Sequence, residues 1–153
     1  MFKLSSGFKA GLRALTILTR KSGGGPVPIS EIAPELNLSD KYLEQLLMAL
    51  KRAGLVRSSR GANGGFALAR SATKITLLDI MTALQGPIAF CDCEVTSCPD
   101  CIRPEIWEAL ELCIGATLST ITLQHLVSTE PFQVMAHSIV LPDSPLWQDG
   151  AGI

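Results

Sequence analysis

The sequence lacks the segments that would anchor a protein in a membrane or direct its export. No apolar run approaches the ~18 residues needed to span a bilayer. The first residues, MFKLSS, contain no apolar stretch followed by a small-residue cleavage site, so no secretory signal is predicted. We therefore expect a cytoplasmic protein, in which clustered cysteines are more often metal ligands or redox groups than structural disulfides.

Aromatic residues and catalytic motifs are also scarce. Aromatics make up 5% of the chain although its hydrophobic fraction is 47%. Leu, Ile, Val and Ala must therefore fill the core of a 153-residue chain, which is long enough for one domain with an appended element. We find no His or carboxylate pair at a recognised catalytic spacing, no phosphate-binding loop and no nucleophile motif. A metal-dependent redox enzyme is the weaker alternative, and we do not expect an enzyme.

Acidic residues are scarce in the first half of the chain, and basic residues are scarce in the second. Residues 1–75 carry twelve Lys or Arg against four Asp or Glu, whereas residues 76–153 carry one against ten. The basic half indicates a polyanionic partner such as nucleic acid. Two solvated faces of unequal charge are the simpler alternative. The acidic half suggests that DNA contact is confined to the N-terminal part.

The basic half contains the pattern of a helix-turn-helix. Amphipathic spacing predicts a first helix over residues 9–19. Ser30 is expected to cap a short helix over 31–36, and Ser39 is expected to cap a longer one over 40–53. Two helices joined by a short turn, the second with polar outward residues, are typical of a helix-turn-helix.

A β-hairpin is predicted directly after these helices. Strand-like residues at 55–60 and 66–70 flank the turn 61–65, which is rich in residues that accept positive φ. A hairpin in this position is the wing of a winged helix. We therefore expect a mainly α fold with a small β-hairpin wing (α+β), that is, a winged helix-turn-helix plus a long C-terminal dimerisation helix.

The second half is predicted to contain three more helices. Thr76 and Asp79 form a capping-box pattern at the start of the first. A long helix is expected over 104–120, with an apolar stripe longer than a small core can cover, so a partner chain is expected to cover it. A last helical turn follows over 123–127. The expected divisions are the DNA-binding domain 1–86, the cysteine-rich sensor loop 87–103, the dimerisation helix 104–128 and a tail of uncertain structure, 129–153.

DNA contacts are predicted on the outward face of helix 40–53 and at the tip of the hairpin. Gln45 can bond adenine bidentately and Glu44 can accept from cytosine. Arg60 is expected to enter the minor groove or to hold a phosphate. The alternative is an ordinary solvent-exposed face. The full set of candidates is Ser39 and Lys41 for phosphate, Tyr42, Glu44 and Gln45 for bases, and Arg60 and Gly64 at the wing.

Four of the five cysteines lie within eleven residues in the spacing C-x-C-x4-C-x2-C, namely Cys91, Cys93, Cys98 and Cys101. Small, polar or turn-forming residues separate them, Val95 apart, so hydrophobic packing does not explain the cluster. Three states fit the four thiols: an iron–sulfur cluster, a structural zinc in tetrahedral coordination, or free or disulfide-linked thiols. The fifth, Cys113, lies in the apolar stripe of the long helix and is expected to be a small buried hydrophobe, with a ligand as the alternative.

This order of motifs resembles the IscR/NsrR/CymR-type (Rrf) family of winged-helix transcription regulators. The resemblance covers about residues 1–127. It rests on residues 12–15 (LRAL), 38–47 (LSDKYLEQLL), 53–56 (AGLV), 60–70 (RGANGGFALAR) and 75–80 (ITLLDI). It implies a homodimer formed through the long C-terminal helix and a pseudo-palindromic operator of double-stranded DNA. In sensor members it also implies a cysteine-ligated iron–sulfur cluster.

The resemblance also implies which cysteines are ligands. Because RPEIW at 103–107 matches the start of the family's dimer helix, the three loop ligands correspond to Cys101, Cys98 and either Cys93 or Cys91. Lys9 and Pro104 stand where other members place an acidic or His ligand, and neither can ligate. The extra loop cysteine is therefore the candidate for the fourth ligand. The spacing is tighter than in the family's sensors, which leaves 2Fe-2S, 4Fe-4S and zinc open.

The function implied by the resemblance is that of a DNA-binding transcriptional regulator, expected to be a repressor, whose operator binding is controlled by the cluster. One alternative is a winged-helix regulator with a structural zinc or a thiol-redox site in the same segment. Another is a regulator without a cluster that responds through a protein partner, although such members generally lack the loop cysteines.

Overall fold

The computed structural model describes residues 4–61, 64–90 and 104–128. These residues form six α-helices and one two-stranded antiparallel sheet, which confirms the expected mainly α fold with a small hairpin. The helices are α1 (Ser6–Arg20), α2 (Ile29–Leu36), α3 (Asp40–Arg52), α4 (Leu77–Gln85), α5 (Pro104–Thr120) and α6 (Leu123–Val127), and the strands are β1 (Val56–Ser59) and β2 (Gly65–Leu68). The expected tail, 129–153, lies outside the described residues.

Helix α1 begins earlier than its apolar periodicity predicts. The side chain of Ser5 caps it by accepting the backbone N–H of Phe8 at 3.0 Å, so the expected start at Lys9 is wrong. On its inner face, Gly11 permits a close approach of α4, since a Cβ there would lie 2.5 Å from Cδ1 of Leu84. The buried residues of α1 are Phe8, Gly11, Ala14, Leu15, Ile17 and Leu18.

Helix α2 also begins earlier than predicted, and Ser30 does not cap it. The capping position is Pro28, whose backbone is extended (φ −68°, ψ 150°), and Ile29 is already helical. Proline is tolerated there because its nitrogen needs no hydrogen-bond partner, and no side chain caps this helix. Asn37 ends the helix in the left-handed region, at φ 55°.

Helix α3 has the predicted start and ends at Arg52, one residue before the predicted end. Ser39 caps it through a hydrogen bond from the Tyr42 backbone N–H at 3.3 Å. Gly54 follows the last turn at φ +70°, the conformation expected of a glycine just beyond a helix. Its inner face is formed by three fully buried leucines, Leu43, Leu47 and Leu50.

The hairpin is shorter than predicted and is extended by a third segment. Strands β1 and β2 pair from Val56 with Leu68 to Ser59 with Gly65. Val27, in the link between α1 and α2, exchanges two 2.8 Å backbone hydrogen bonds with Phe66 on the other edge of β2. A Cβ on Gly65 would lie 2.4 Å from the Val27 carbonyl carbon and oxygen, so this pairing requires glycine at that position.

Helix α4 begins at the predicted capping box. Thr76 Oγ1 accepts the backbone N–H of Asp79 at 3.1 Å, and Asp79 Oδ2 accepts that of Thr76 at 3.0 Å. Arg70, just after β2, forms an ion pair with the same carboxylate at 3.4 Å. The capping box thus also links the base of the hairpin to α4.

The junction of α5 and α6 is hydrogen-bonded to the residues that precede α4. Leu77 donates its backbone N–H to the Ile121 carbonyl at 2.7 Å, and Leu123 donates to the Ile75 carbonyl at 2.8 Å. Leu123 is fully buried in the same core as α1, α3 and α4. Helix α6 therefore completes the core of the winged-helix part.

Helix α5 is the least covered helix of the described chain. None of its described side chains is buried. Leu118 packs against the core near its C-terminal end, whereas Ile106 and Leu110 are 44% and 40% exposed. The stripe predicted on this helix is therefore exposed at its N-terminal end and only partly buried beyond it. Within the described ranges, no helix meets the length and apolarity needed to cross a membrane.

Candidate nucleic-acid interface and thiol segment

The outward face of α3 carries a continuous set of exposed polar and flexible side chains. Because Leu43, Leu47 and Leu50 point inward, the residues on the opposite arc face solvent. Glu44 and Gln45, two of the predicted base-contacting residues, lie on this arc and are exposed. Its other exposed members are Lys41, Met48, Lys51 and Arg52. An α-helix that presents such a face fits the major groove of B-DNA.

Ser39 and Tyr42 lie at the edge of this face and have structural partners. Ser39 is exposed, but its hydroxyl oxygen already accepts the N-cap hydrogen bond. Tyr42 is half-buried, and its hydroxyl lies 3.4 Å from where a Cβ on Gly7 of α1 would stand. Tyr42 therefore leans toward α1, which leaves its hydroxyl at the rim of the outward face.

The tip of the hairpin is a tight turn built on glycine. Gly61 has φ +109°, and Gly64 donates its backbone N–H to the Gly61 carbonyl at 2.9 Å. A Cβ on Gly64 would lie 2.7 Å from the Ser59 carbonyl oxygen, so Gly64 shapes the turn. Arg60, which precedes this turn, is exposed.

Three cations of α3 and the hairpin form no ion pair with the residues that the structure describes. The ion pairs within the described residues involve Lys21 and Arg70, and none involves Lys41, Arg52 or Arg60. The side-chain hydrogen bond to Glu35 raises the pKa of Lys21, which is tied to α2 instead. Unneutralised cations beside an exposed helix face attract the phosphates of nucleic acid.

Lys51 connects the outward face of α3 to the hairpin. Its Nζ donates to Ser58 Oγ on β1 at 2.6 Å. Leu55, between the two elements, donates its backbone N–H to the Leu50 carbonyl at 3.0 Å. These contacts fix the hairpin relative to α3, so both can meet one duplex.

The four predicted thiol ligands, Cys91, Cys93, Cys98 and Cys101, lie outside the described residues, but both flanks of their segment are described. Phe90 donates its backbone N–H to Glu111 Oε1 on α5 at 2.8 Å. Its ring lies against Trp107, with ring centroids 6.3 Å apart. Helix α5 begins at Pro104, so the segment leaves and re-enters the described fold beside the same helix.

The described residues add little metal-binding capacity of their own. No group of three or more His, Cys, Asp or Glu side chains among them could hold a metal ion. Cys113 is a free, half-buried thiol on α5, less buried than expected. A metal site in this chain would therefore have to involve residues outside the described ranges.

Two residues of interest were missed by sequence reasoning. Met48 is 39% exposed and lies four residues after Glu44, in the middle of the outward face of α3. A helical wheel drawn from the inward leucines would have revealed it. Glu111 holds Phe90 from 21 residues away, and no local signal in the sequence predicts that contact.

Comparison with known protein families finds that residues 4–129 match Rrf2, described as an iron-dependent transcriptional regulator. The chain belongs to the Rrf2 family. Among characterised Rrf2-type proteins it is similar to the HTH-type transcriptional regulator CymR of Bacillus subtilis, with 38% identity over 126 residues that cover 82% of this chain and 90% of that protein. It is also similar to IscR of Sodalis glossinidius, with 33% identity over 132 residues that cover 84% and 80%.

Solved structures of Rrf2-type regulators share this fold. CymR, the global cysteine regulator of B. subtilis, superposes with a TM-score of 0.70 at 37% identity and covers 86% of this chain and 100% of that one. IscR of T. potens gives a TM-score of 0.64 at 38% identity and covers 82% and 86%. The winged-helix α+β fold is thereby confirmed. The chain is a transcriptional regulator, and the expectation that it is not an enzyme is confirmed by the same relatives.

Proposed function

We propose that this Rrf2-family regulator binds a pseudo-palindromic operator of double-stranded DNA as a homodimer and represses transcription under the control of an iron–sulfur cluster. The cluster, 2Fe-2S or 4Fe-4S, is held by Cys91, Cys93, Cys98 and Cys101. The observation that carries the proposal is that Phe90, the residue before Cys91, is hydrogen-bonded to α5, the helix that begins three residues after Cys101.

The proposed DNA contacts divide between α3 and the wing. Glu44 and Gln45 contact base edges in the major groove, and Met48 adds an apolar contact suited to a thymine methyl group. The exposure of all three supports this assignment. Arg60 contacts the minor groove or a phosphate beside the wing. The remaining proposed contacts are Ser39 and Lys41 on phosphate, Tyr42 at the rim of the major-groove face, and Gly64 at the turn.

The proposed dimer forms along α5. Ile106, Leu110, Cys113 and Thr117 recur at intervals of four, three and four residues, which is the spacing of a coiled-coil seam. This seam is not buried on the single chain. Pairing two copies along it would remove apolar surface from water and would present two α3 helices to successive turns of one duplex.

The chemistry of the donor set fits a cluster. Four cysteines supply four thiolates, the usual ligands of 2Fe-2S and 4Fe-4S centres. When bound, such a cluster supplies one-electron redox chemistry and reactivity toward oxidants. Without it, four thiolates held close together repel one another, so loss of the cluster should loosen the segment. Because the segment joins α4 to α5 in the chain, we expect such a change to alter the spacing of the two α3 helices.

A structural zinc is the second candidate, since four thiolates also suit tetrahedral zinc. A thiol-redox site without metal, or a regulator that responds through a partner protein, completes the alternatives.

We assign residues 1–86 to the DNA-binding domain, 87–103 to the sensor segment and 104–128 to dimerisation. We also propose a cytoplasmic location, because that is where operator DNA would be met.

The test is purification of the full chain without oxygen, followed by analysis for iron, acid-labile sulfide and zinc. We expect a brown protein with visible absorption, and gel-shift assays that differ between the cluster-loaded and cluster-free forms on a dyad-symmetric duplex. A colourless protein with stoichiometric zinc would reject the cluster. Equal DNA binding by the two forms would reject its regulatory role.

A further inference from the structure

Two neighbouring cations end α3, and the structure gives them different surroundings. Lys51 donates from Nζ to Ser58 Oγ on β1 at 2.6 Å, whereas Arg52 forms no ion pair with the described residues. Arg52 follows Gln45 by seven residues, which is close to two full turns, so both lie on one line of the outward face. Lys51 is displaced from that line by about 100°. Its ammonium group therefore lies against the hairpin and away from the middle of the outward face.

The contact between Lys51 and Ser58 lies level with a second attachment of the hairpin. Ser58 pairs with Phe66 across the sheet, and Phe66 exchanges two 2.8 Å backbone hydrogen bonds with Val27 on the other edge of β2. One residue pair of the hairpin is thus held from both sides. Only one further pair separates it from the turn at the tip. Among the described residues, these are the hydrogen bonds to other elements that lie nearest to the tip.

We propose that Lys51 is a positioning residue for DNA binding, which holds β1 against α3 through Ser58 and so sets where the wing meets the duplex. This inference rests on the proposed function, since it requires the wing to contact DNA. Lysines beside a DNA-binding face usually contact phosphates. The two roles differ in one testable respect, because a phosphate contact by Lys51 does not need the Ser58 hydroxyl.

The position of the wing matters because α3 and the wing have to meet one duplex at the same time. Arg60 lies two residues after Ser58, roughly 7 Å along an extended strand. A change in the direction of β1 would therefore move Arg60 relative to the duplex. The hydrogen bond from Lys51 is charge-assisted, which makes it stronger than one between neutral groups. Losing it would lower the fraction of molecules in which both elements fit the duplex, and the apparent affinity would fall by the same factor.

The test is fluorescence anisotropy of the full chain on a dyad-symmetric duplex that the wild-type protein has selected from a random-sequence pool. We expect Ser58→Ala and Lys51→Met each to weaken binding roughly three- to tenfold, which corresponds to the net strength of one hydrogen bond. The double variant should bind at most about twofold more weakly than either single variant, because both changes remove the same bond. Wild-type affinity in Ser58→Ala, or additive losses in the double variant, would overturn the proposal.

Ser59 provides the matched control. It follows Ser58 on β1, is exposed, and its side chain forms no hydrogen bond with the described residues. Ser59→Ala should therefore bind the duplex as wild type does. Ser58→Thr keeps a hydroxyl in a residue suited to a strand, so it should restore most of the affinity. If Ser59→Ala weakens binding as much as Ser58→Ala, the effect does not depend on the bond to Lys51 and the positioning role is refuted. Circular dichroism of each variant checks that the fold is intact.

The Arg60→Ala chain separates positioning from direct contact with DNA. If Lys51 acts by placing the wing, Lys51→Met should change the affinity of the Arg60→Ala chain less than about twofold and leave its salt slope unchanged. A further decrease of about one in that slope would show that Lys51 contacts a phosphate itself, and would overturn the proposal. A wild-type chain that selects no preferred duplex would overturn the proposed function as well. A preferred duplex that wild type and Lys51→Met bind equally would overturn only the role of Lys51.

Discussion

Replacing Gly65 with alanine tests how the wing is attached to the rest of the fold. The new Cβ would stand 2.4 Å from the carbonyl carbon and oxygen of Val27 and 2.7 Å from the nitrogen of Pro28. These are backbone atoms, so no side-chain rotation relieves the clash. The Val27–Phe66 bridge must open, and its two 2.8 Å hydrogen bonds are lost.

The size of the effect follows from those two bonds. At a net ~0.5–1.5 kcal/mol each, their loss lowers the free energy of unfolding by roughly 2 kcal/mol. For a chain of this size that corresponds to a decrease in Tm of roughly 4–8 °C. Operator affinity should also fall, because the same bridge holds β2 next to the turn that Arg60 precedes.

Alanine substitutions at two other glycines serve as controls. The Tm of each variant is measured by thermal denaturation with circular dichroism as the readout. A Cβ on Gly23 meets no described atom within 4 Å, so Gly23→Ala should leave Tm unchanged or slightly raised. Gly61 has the same open space but φ +109°, so Gly61→Ala should cost only about 1 kcal/mol of backbone strain. If the Tm of Gly65→Ala equals that of the Gly23→Ala control, the reasoning is refuted.

Three further predictions concern DNA contact and assembly. Arg60→Ala should weaken operator binding and lower the slope of log K against log salt by about one, and an unchanged slope in fluorescence anisotropy would remove Arg60 from the interface. Met48→Ala should reduce discrimination between operators with and without a thymine at one position by about 1 kcal/mol, and equal losses on both duplexes would contradict a base contact. Leu110→Glu should shift the chain from dimer to monomer in light scattering, because Leu110 lies in the open seam of α5. Leu112→Glu, on the opposite side and 63% exposed, is the control and should leave the mass unchanged. A Leu110→Glu protein of unchanged mass would place the dimer contact elsewhere.

Local signals in the sequence were enough to predict most of the helices. The Ser39 cap and the Thr76–Asp79 capping box depend on residues three apart, and both occur in the structure. A local signal can also mislead. Ser30 was expected to cap α2, but the helix begins at Ile29 with Pro28 at the capping position.

The contacts that shape the candidate sites are not local, and for that reason the sequence did not predict them. Tyr42 was expected to face outward, yet its hydroxyl lies near Gly7, on a different helix. The requirement for glycine at position 65 arises from Val27, far away in the chain. Whether Tyr42, Arg60 and the four clustered cysteines perform their expected roles stays a prediction for the experiments above.

The hydrogen bonds that join residues 75–77 to 121–123 affect when the core can fold during synthesis of the chain. Leu123 fills the core beneath α1, α3 and α4, so that core stays incomplete until α6 has been synthesised. During translation the cysteine segment therefore leaves the ribosome before the winged-helix part can close. Under the proposed function, newly made chains would meet iron or zinc before the winged-helix part is complete, and metal loading and final folding would then be completed together.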